Sequence, residues 1–144
     1  MRAGTMLKVY IADDSVVVRE KLKEALEEPG SIKVVGVSGD AAQAITEIRR
    51  LEPQVTIIDF RMPGGGGLPV LQDLKACTPD RVAIILTSFP FPQYRQACLA
   101  AGADYFFDKT KDIQQMTDIL IELASKNGDS PAERVQRESK SKNA

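Results

Sequence analysis

Residues 55–67 read VTIIDFRMPGGGG: a short apolar, β-branched run, an aspartate, then a turn built from proline and four glycines. The run Val55 to Ile58 is continuous rather than alternating, the pattern of a strand buried on both faces. Four more runs share this character: Leu7 to Ala12, Ile32 to Val37, Val82 to Leu86 and Tyr105 to Phe107. Segments of helical period lie between them. Val18, Leu22, Ala25 and Leu26 fall on one helical face, and Pro29-Gly30 ends that helix. Asp40 with Gln43 three residues later opens the next, which buries Ala41, Ala44, Ile45 and Ile48 and ends at Glu52-Pro53. A third helix spans Leu68 to about Cys77, with Pro69 in its first turn. The fourth starts near Pro92 and turns Tyr94, Ala97, Cys98 and Ala101 inward; Asp112 and Gln115 resemble a capping box for the fifth, whose core face is Ile113, Met116, Leu120 and Leu123.

Strands alternating with helices of about 10–15 residues make βαβ units and a parallel sheet covered on both sides. With right-handed crossovers, five units predict an α/β fold with a doubly wound five-stranded parallel sheet, order 2-1-3-4-5, of the flavodoxin-like type. Such sheets bind ligands beyond the carboxyl ends of their strands, at the switch point between strands 1 and 3. The predicted ends carry Asp13 and Asp14 (strand 1), Asp59 (strand 3), Thr87 (strand 4) and Lys109 (after strand 5).

Singly, each of these residues has a structural reading, because Asp and Thr commonly cap helices or bond turn amides. Their convergence on one edge is chemically pointed. Three carboxylates about 5 Å apart repel by a few kcal/mol per pair at an effective dielectric of about 20, so they call for a cation. Oxygen donors without His or Cys suit a hard ion, and Mg2+ fits better than zinc. With the Lys109 ammonium and the Thr87 hydroxyl added, these are the parts that stabilise a phosphoryl group in transfer, Asp59 being the nucleophile.

Asp13-Asp14, then Asp59-Phe60-Arg61-Met62-Pro63 with Gly67, then Leu86-Thr87-Ser88, then Gly102-Ala103-Asp104 leading to Lys109 resemble, in order and spacing, the signature of the response regulator receiver domain family; the likeness covers about residues 6 to 125. The resemblance implies a phosphorylation switch of two-component signalling: Asp59 receives a phosphoryl group from a partner sensor histidine kinase or phosphotransfer protein. It implies that Asp14, Asp59 and the Arg61 carbonyl ligate Mg2+, that Asp13 acts mainly through water, and that Lys109 pairs with the acyl phosphate. It further implies that Thr87 swings to the phosphoryl group and Phe106 turns inward. This remodels the face of helix 4, strand 5 and helix 5, where a downstream protein target docks. A half-buried edge-strand aromatic is the plain alternative for Phe106. Arg61 and Phe89 flank the site and are assigned to tuning hydrolysis.

This sequence departs from the family pattern in places. Thr110 follows Lys109 where many receivers have a cis proline, so a trans peptide is expected. Gly64 to Gly67 form a pliant loop, whereas Phe89-Pro90-Phe91-Pro92 stiffens the loop after Thr87, which predicts a switch of small motions.

The bulk composition agrees. The 144 residues suit one domain, with a formal net charge of -1 that gives no basic excess for nucleic acid or an anionic membrane. No run approaches the roughly 18 apolar residues of a spanning helix, so a cytoplasmic protein is expected. Cys77 and Cys98 read as small buried or half-buried apolar residues, and with no His in the chain any phosphohistidine belongs to a partner. Residues 1–126 are assigned to the receiver domain, and 127–144, polar and without apolar period, to a disordered tail too short for an output domain. A freestanding switch, itself not an enzyme beyond its own phosphorylation and dephosphorylation, is therefore expected.

Three other readings stand beside it. A phosphatase of the haloacid dehalogenase type also uses Asp, Thr or Ser, Lys and Mg2+, but places its nucleophile after the first strand as DxD, where this chain has Asp13-Asp14-Ser15. A flavin carrier shares the sheet order, yet an acid pair at the first loop disfavours a flavin phosphate. A receiver-like binding module that is never phosphorylated is the third.

Overall fold

The computed structural model describes residues 6–126. The segment 127–144, expected as a disordered tail, lies outside the described residues. Ten elements alternate along the chain: β1 (Leu7–Ala12), α1 (Val16–Glu27), β2 (Ile32–Ser38), α2 (Ala41–Leu51), β3 (Val55–Ile58), α3 (Gly67–Cys77), β4 (Val82–Thr87), α4 (Pro92–Ala100), β5 (Tyr105–Asp108) and α5 (Ile113–Ser125). The strands are all parallel in the order β2-β1-β3-β4-β5, as the alternation predicts. Strands β2, β4 and β5 each run one residue past their apolar stretch, into Ser38, Thr87 and Asp108. The hydrogen-bonded ladder continues there after the hydrophobic pattern stops, because these last positions face the ligand edge.

Side chains alternate across a strand, so one sheet separates two cores. Val9, Ile11, Ile57, Ile84 and Leu86 pack with Leu22, Leu26, Met116 and Leu120 beneath α1 and α5. Tyr10, Ala12, Ile58, Ala83, Ile85 and Phe106 pack with Ala44, Ile48, Leu71 and Cys98 beneath α2, α3 and α4. Every residue of β3 and β4 is buried, and truncating one of these isoleucines to alanine costs about 2–5 kcal/mol. This double burial is why the strands read as unbroken apolar runs. Edge strand β2 is interrupted by a bulge where its pairing with β1 shifts between Val9 and Tyr10. Gly36 lies there, and a Cβ on it would stand 2.8 Å from the Tyr10 ring. The missing side chain at Gly36 thus makes room for Tyr10, whose hydroxyl donates to Glu47 Oε1 at 2.7 Å.

The helix starts hold with two changes. Ser15 caps α1 by accepting from the Val18 N–H, and Asp40 caps α2 by accepting from the Gln43 N–H. The Gln43 amide does not reach back but donates to Glu47, so only half of the capping box forms. Asp112 does not cap α5; its carboxylate accepts instead from the Asp108 N–H at 2.8 Å. Ala25 and Cys77, expected on inward or half-buried faces, are exposed: each lies beyond the narrow stripe its short, one-sided helix buries. On α4 only Cys98 is fully buried, with Tyr94, Ala97 and Ala101 half-buried, because that helix lies over the edge of the sheet. No cis peptide occurs among the described residues, and the Lys109–Thr110 bond is trans as expected.

Candidate functional site

The last paired residues of β1 and β3 are Ala12 and Ile58, and one step further each strand delivers an aspartate. The Asp59 N–H donates to the Ala12 carbonyl (2.8 Å) and the Asp13 N–H to the Ser38 carbonyl (2.9 Å), so backbone bonds hold both where the strands end. Asp13 and Asp59 are 2% and 6% exposed, while Asp14 is open to solvent. One carboxylate oxygen from each of the three lies within 4.8 Å of the others.

Lys109 Nζ sits between two of them, 2.6 Å from Asp13 Oδ2 and 3.1 Å from Asp59 Oδ2. The second Asp13 oxygen accepts from the Ser15 N–H (2.8 Å), and Asp59 Oδ1 accepts from the Arg61 N–H (3.2 Å). Burial raises the Asp59 pKa above its ordinary value; the Asp13 charge adds to the rise and Lys109 opposes it. Burial also works against charge on Lys109, but the hydrogen bonds and charges of Asp13 and Asp59 outweigh it and hold its pKa above the ordinary value. One ammonium among three carboxylates leaves the cleft with an excess of negative charge.

The donor set fits a hard divalent cation. The three carboxylate oxygens lie within 4.8 Å of one another, close enough for the cluster to contract around one hard ion. No softer donor stands in the cluster.

The remaining predicted residues are Thr87, Arg61, Phe89 and Phe106. Thr87 is fully buried at the end of β4, and its hydroxyl accepts from the Phe89 N–H at 3.1 Å. Its carbonyl accepts from the Lys109 N–H at 2.8 Å, tying the two residues through the backbone. The Arg61 guanidinium lies 4.4 Å from the centroid of the Phe89 ring. From Phe89 an aromatic chain runs to Phe91 (6.5 Å), Tyr94 (5.6 Å) and Phe60 (4.6 Å), returning to the residue beside the acceptor. Phe106 is buried at 8% exposure, with the Arg95 guanidinium 5.9 Å above it, so it is a core aromatic rather than a half-buried one. Gly67 is required by close approach: a Cβ there would stand 2.2 Å from the Asp59 carbonyl oxygen.

Three supports escape sequence reading. Arg19, one turn into α1, donates to the Asp13 carbonyl at 3.1 Å. Ser15 both caps α1 and orients Asp13. Asp108, Thr110 and Asp112 cross-link the loop that carries Lys109. Only Ser15 has a sequence signal, a cap residue directly before a helix.

The family model for the response regulator receiver domain matches residues 9–121. The chain is 34% identical over 111 residues to the DNA-binding transcriptional activator DevR/DosR of Mycobacterium tuberculosis, covering 77% of this chain and 50% of that protein. It is 30% identical over 123 residues to protein-glutamate methylesterase/protein-glutamine glutaminase 1 of Methanospirillum hungatei, covering 84% and 36% respectively. The response regulator domain of Thermotoga maritima CheB superposes with a TM-score of 0.74 at 25% identity, covering 87% of this chain and 99% of that one. The chain spans half or less of the length of these two curated relatives.

Proposed function

The chain belongs to the response regulator receiver domain family of two-component systems, and we propose that it is an Mg2+-dependent phosphorylation switch with Asp59 as acceptor. The observation that carries this is Lys109 Nζ bridging Asp13 and Asp59, at 2.6 and 3.1 Å, in a cleft that Asp14 completes.

An oxygen of Asp59 attacks the phosphorus of a phosphohistidine on a sensor kinase or phosphotransfer protein. The O–P bond forms, the N–P bond breaks, and the departing imidazole takes a proton from solvent. Asp14, Asp59 and the Arg61 carbonyl would hold Mg2+ directly in this reading. Asp13, held by Lys109 and the Ser15 N–H, would act mainly through water in this reading. When bound, the ion offsets charge on the transferring phosphoryl oxygens. The Lys109 ammonium follows the new negative charge from carboxylate to phosphoryl oxygen, and the Thr87 hydroxyl supplies a second donor.

The signal leaves through Thr87 and the loop behind it to the face of α4, β5 and α5, where a downstream protein docks. Phe106, buried on β5 beneath the Arg95 guanidinium, is the switch aromatic in this reading and would carry the Thr87 movement to that face. Arg61, which stacks on Phe89 at 4.4 Å, would limit water access and so set the lifetime of the acyl phosphate. No helix among the described residues is long and apolar enough to cross a membrane, and a cytoplasmic site of action goes with a kinase partner. The lack of basic excess argues against nucleic-acid contact by this domain; DNA binding belongs to the printed name of one relative, and methylesterase activity to that of another. The phosphatase and flavin-carrier readings give way to the family match.

The test is incubation with Mg2+ and a small phosphodonor such as acetyl phosphate, followed by intact mass measurement. The expected result is one added phosphoryl group that is lost with a chelator and in Asp59→Asn. Labelling of the Asn variant to the same extent would overturn the assignment.

A further inference from the structure

Hydrogen bonds bracket Lys109 on both sides. One residue before it, the Asp108 N–H donates to Asp112 Oδ2 at 2.8 Å. One residue after it, Thr110 donates its N–H (2.8 Å) and its hydroxyl (2.6 Å) to Asp108 Oδ1. The Asp112 N–H returns to the Asp108 carbonyl at 2.8 Å, and the Lys109 N–H is bound by the Thr87 carbonyl at 2.8 Å. Residues 108–112 are therefore a cross-tied turn that carries the lysine as its second residue.

These bonds do little for the core. Thr110 is exposed, and Asp112 stands at the start of α5 without capping it. What they do fix is the starting point of a flexible four-carbon side chain that must place its ammonium between two buried carboxylates. The Thr110 hydroxyl and then its N–H hold the Asp108 pKa below the ordinary value, so Asp108 remains an ionised acceptor across the neutral range.

We propose that Thr110, acting through Asp108, and Asp112 are positioning residues that aim Lys109 at the phosphoacceptor. The inference rests on the reading of Lys109 as the partner of Asp59 and its phosphoryl group. It assigns a role in the reaction to a hydroxyl that touches neither substrate nor acceptor.

The test compares wild type with Thr110→Val, Thr110→Ser, Asp112→Ala and Lys109→Met, each at saturating Mg2+ with acetyl phosphate as donor. Three readouts are followed: labelling rate under those conditions and, in separate Mg2+ titrations without donor, the Mg2+ concentration giving half-maximal thermal stabilisation and the NMR signal of the Lys109 ammonium. Thr110→Val and Asp112→Ala should slow labelling on the order of tenfold and shift the ammonium signal, with the Mg2+ midpoint unchanged. Thr110→Ser, which restores the hydroxyl, should label at the wild-type rate. Wild-type rates in both Thr110→Val and Asp112→Ala, or a Ser variant as slow as Val, would overturn the positioning claim while Lys109→Met still labels slowly. An unlabelled wild type, or a Lys109→Met variant as fast as wild type, would instead bring down the underlying reading of the site.

Discussion

Replacing Asp59 by asparagine tests the charge balance of the cleft without any phosphodonor. Asp59 meets two like charges within 4.8 Å and one opposite charge at 3.1 Å. At an effective dielectric of about 20, each like-charge pair costs about 3.5 kcal/mol and the Lys109 pair contributes about 5.4 kcal/mol, leaving roughly 1–2 kcal/mol of net repulsion. Desolvation of the buried carboxylate acts in the same direction, whereas solvent around exposed Asp14 weakens its share. Asp59→Asn should therefore stabilise the metal-free protein by about 1–2 kcal/mol, or about 3–8 °C in Tm. The sign of the pH dependence follows from the raised Asp59 pKa. The folded state binds this proton more tightly than the unfolded chain, so ionisation costs stability as pH rises from the ordinary carboxylate range through the folded pKa. The advantage of the Asn variant should thus be full at neutral pH and vanish in acid. Thermal unfolding in chelator across pH gives the measurement; an Asn variant melting at or below wild type at pH 7 would refute the repulsion argument.

Magnesium should stabilise the wild type by binding only the native state, by about 2.7 kcal/mol at a hundredfold excess over Kd. Asp14→Asn should lose most of that gain, and an undiminished Tm shift would exclude Asp14 as a ligand. Tyr10→Phe should cost about 1–2 kcal/mol, because Glu47 loses a buried donor. The Tyr10 hydroxyl, followed by Gln43, holds the Glu47 pKa down; that stability is present above the ordinary glutamate range and lost as pH falls through the folded pKa, so urea titrations should show a shallower acid limb in the Phe variant. Phe89→Ala, which removes the ring under Arg61, should change the half-life of the acyl phosphate severalfold while leaving labelling stoichiometry at one, as followed by mass decay after the donor is removed. Amide exchange of residues 88–92 should alter little on phosphorylation, since two prolines and the aromatic chain restrain that loop; broad loss of protection there would contradict the small-motion switch.

Much of this architecture is legible in the sequence because a parallel sheet buries its strands on both faces. Val55 to Ile58 and Val82 to Leu86 have no polar alternation to blur their boundaries, and the carboxyl-edge rule then brings Asp13, Asp59, Thr87 and Lys109 together without side-chain information. Part of what escaped reading depends on contacts between residues far apart in the chain. Nothing in a lone Tyr10 announces Glu47, and Gly36 looks like an ordinary weak spot in a strand until the ring it admits is seen. Asp112 imitates a helix cap because Asp is the common residue there, yet the Asp108 N–H, only four residues away, holds its carboxylate. Ala25 and Cys77 mislead because small residues fit either face of a helix, and periodicity alone cannot tell the margin of a stripe from its centre.

The most direct measurement locates the phosphoryl group itself. Borohydride reduction of the Mg2+-labelled protein converts an aspartyl phosphate to homoserine, which peptide mass analysis then assigns to a position. Conversion confined to residue 59 is the predicted outcome. Conversion at Asp13 or Asp14, or a phosphoryl group retained on a hydroxyl such as Thr87 after reduction, would contradict the acceptor on which every other statement about this cleft relies.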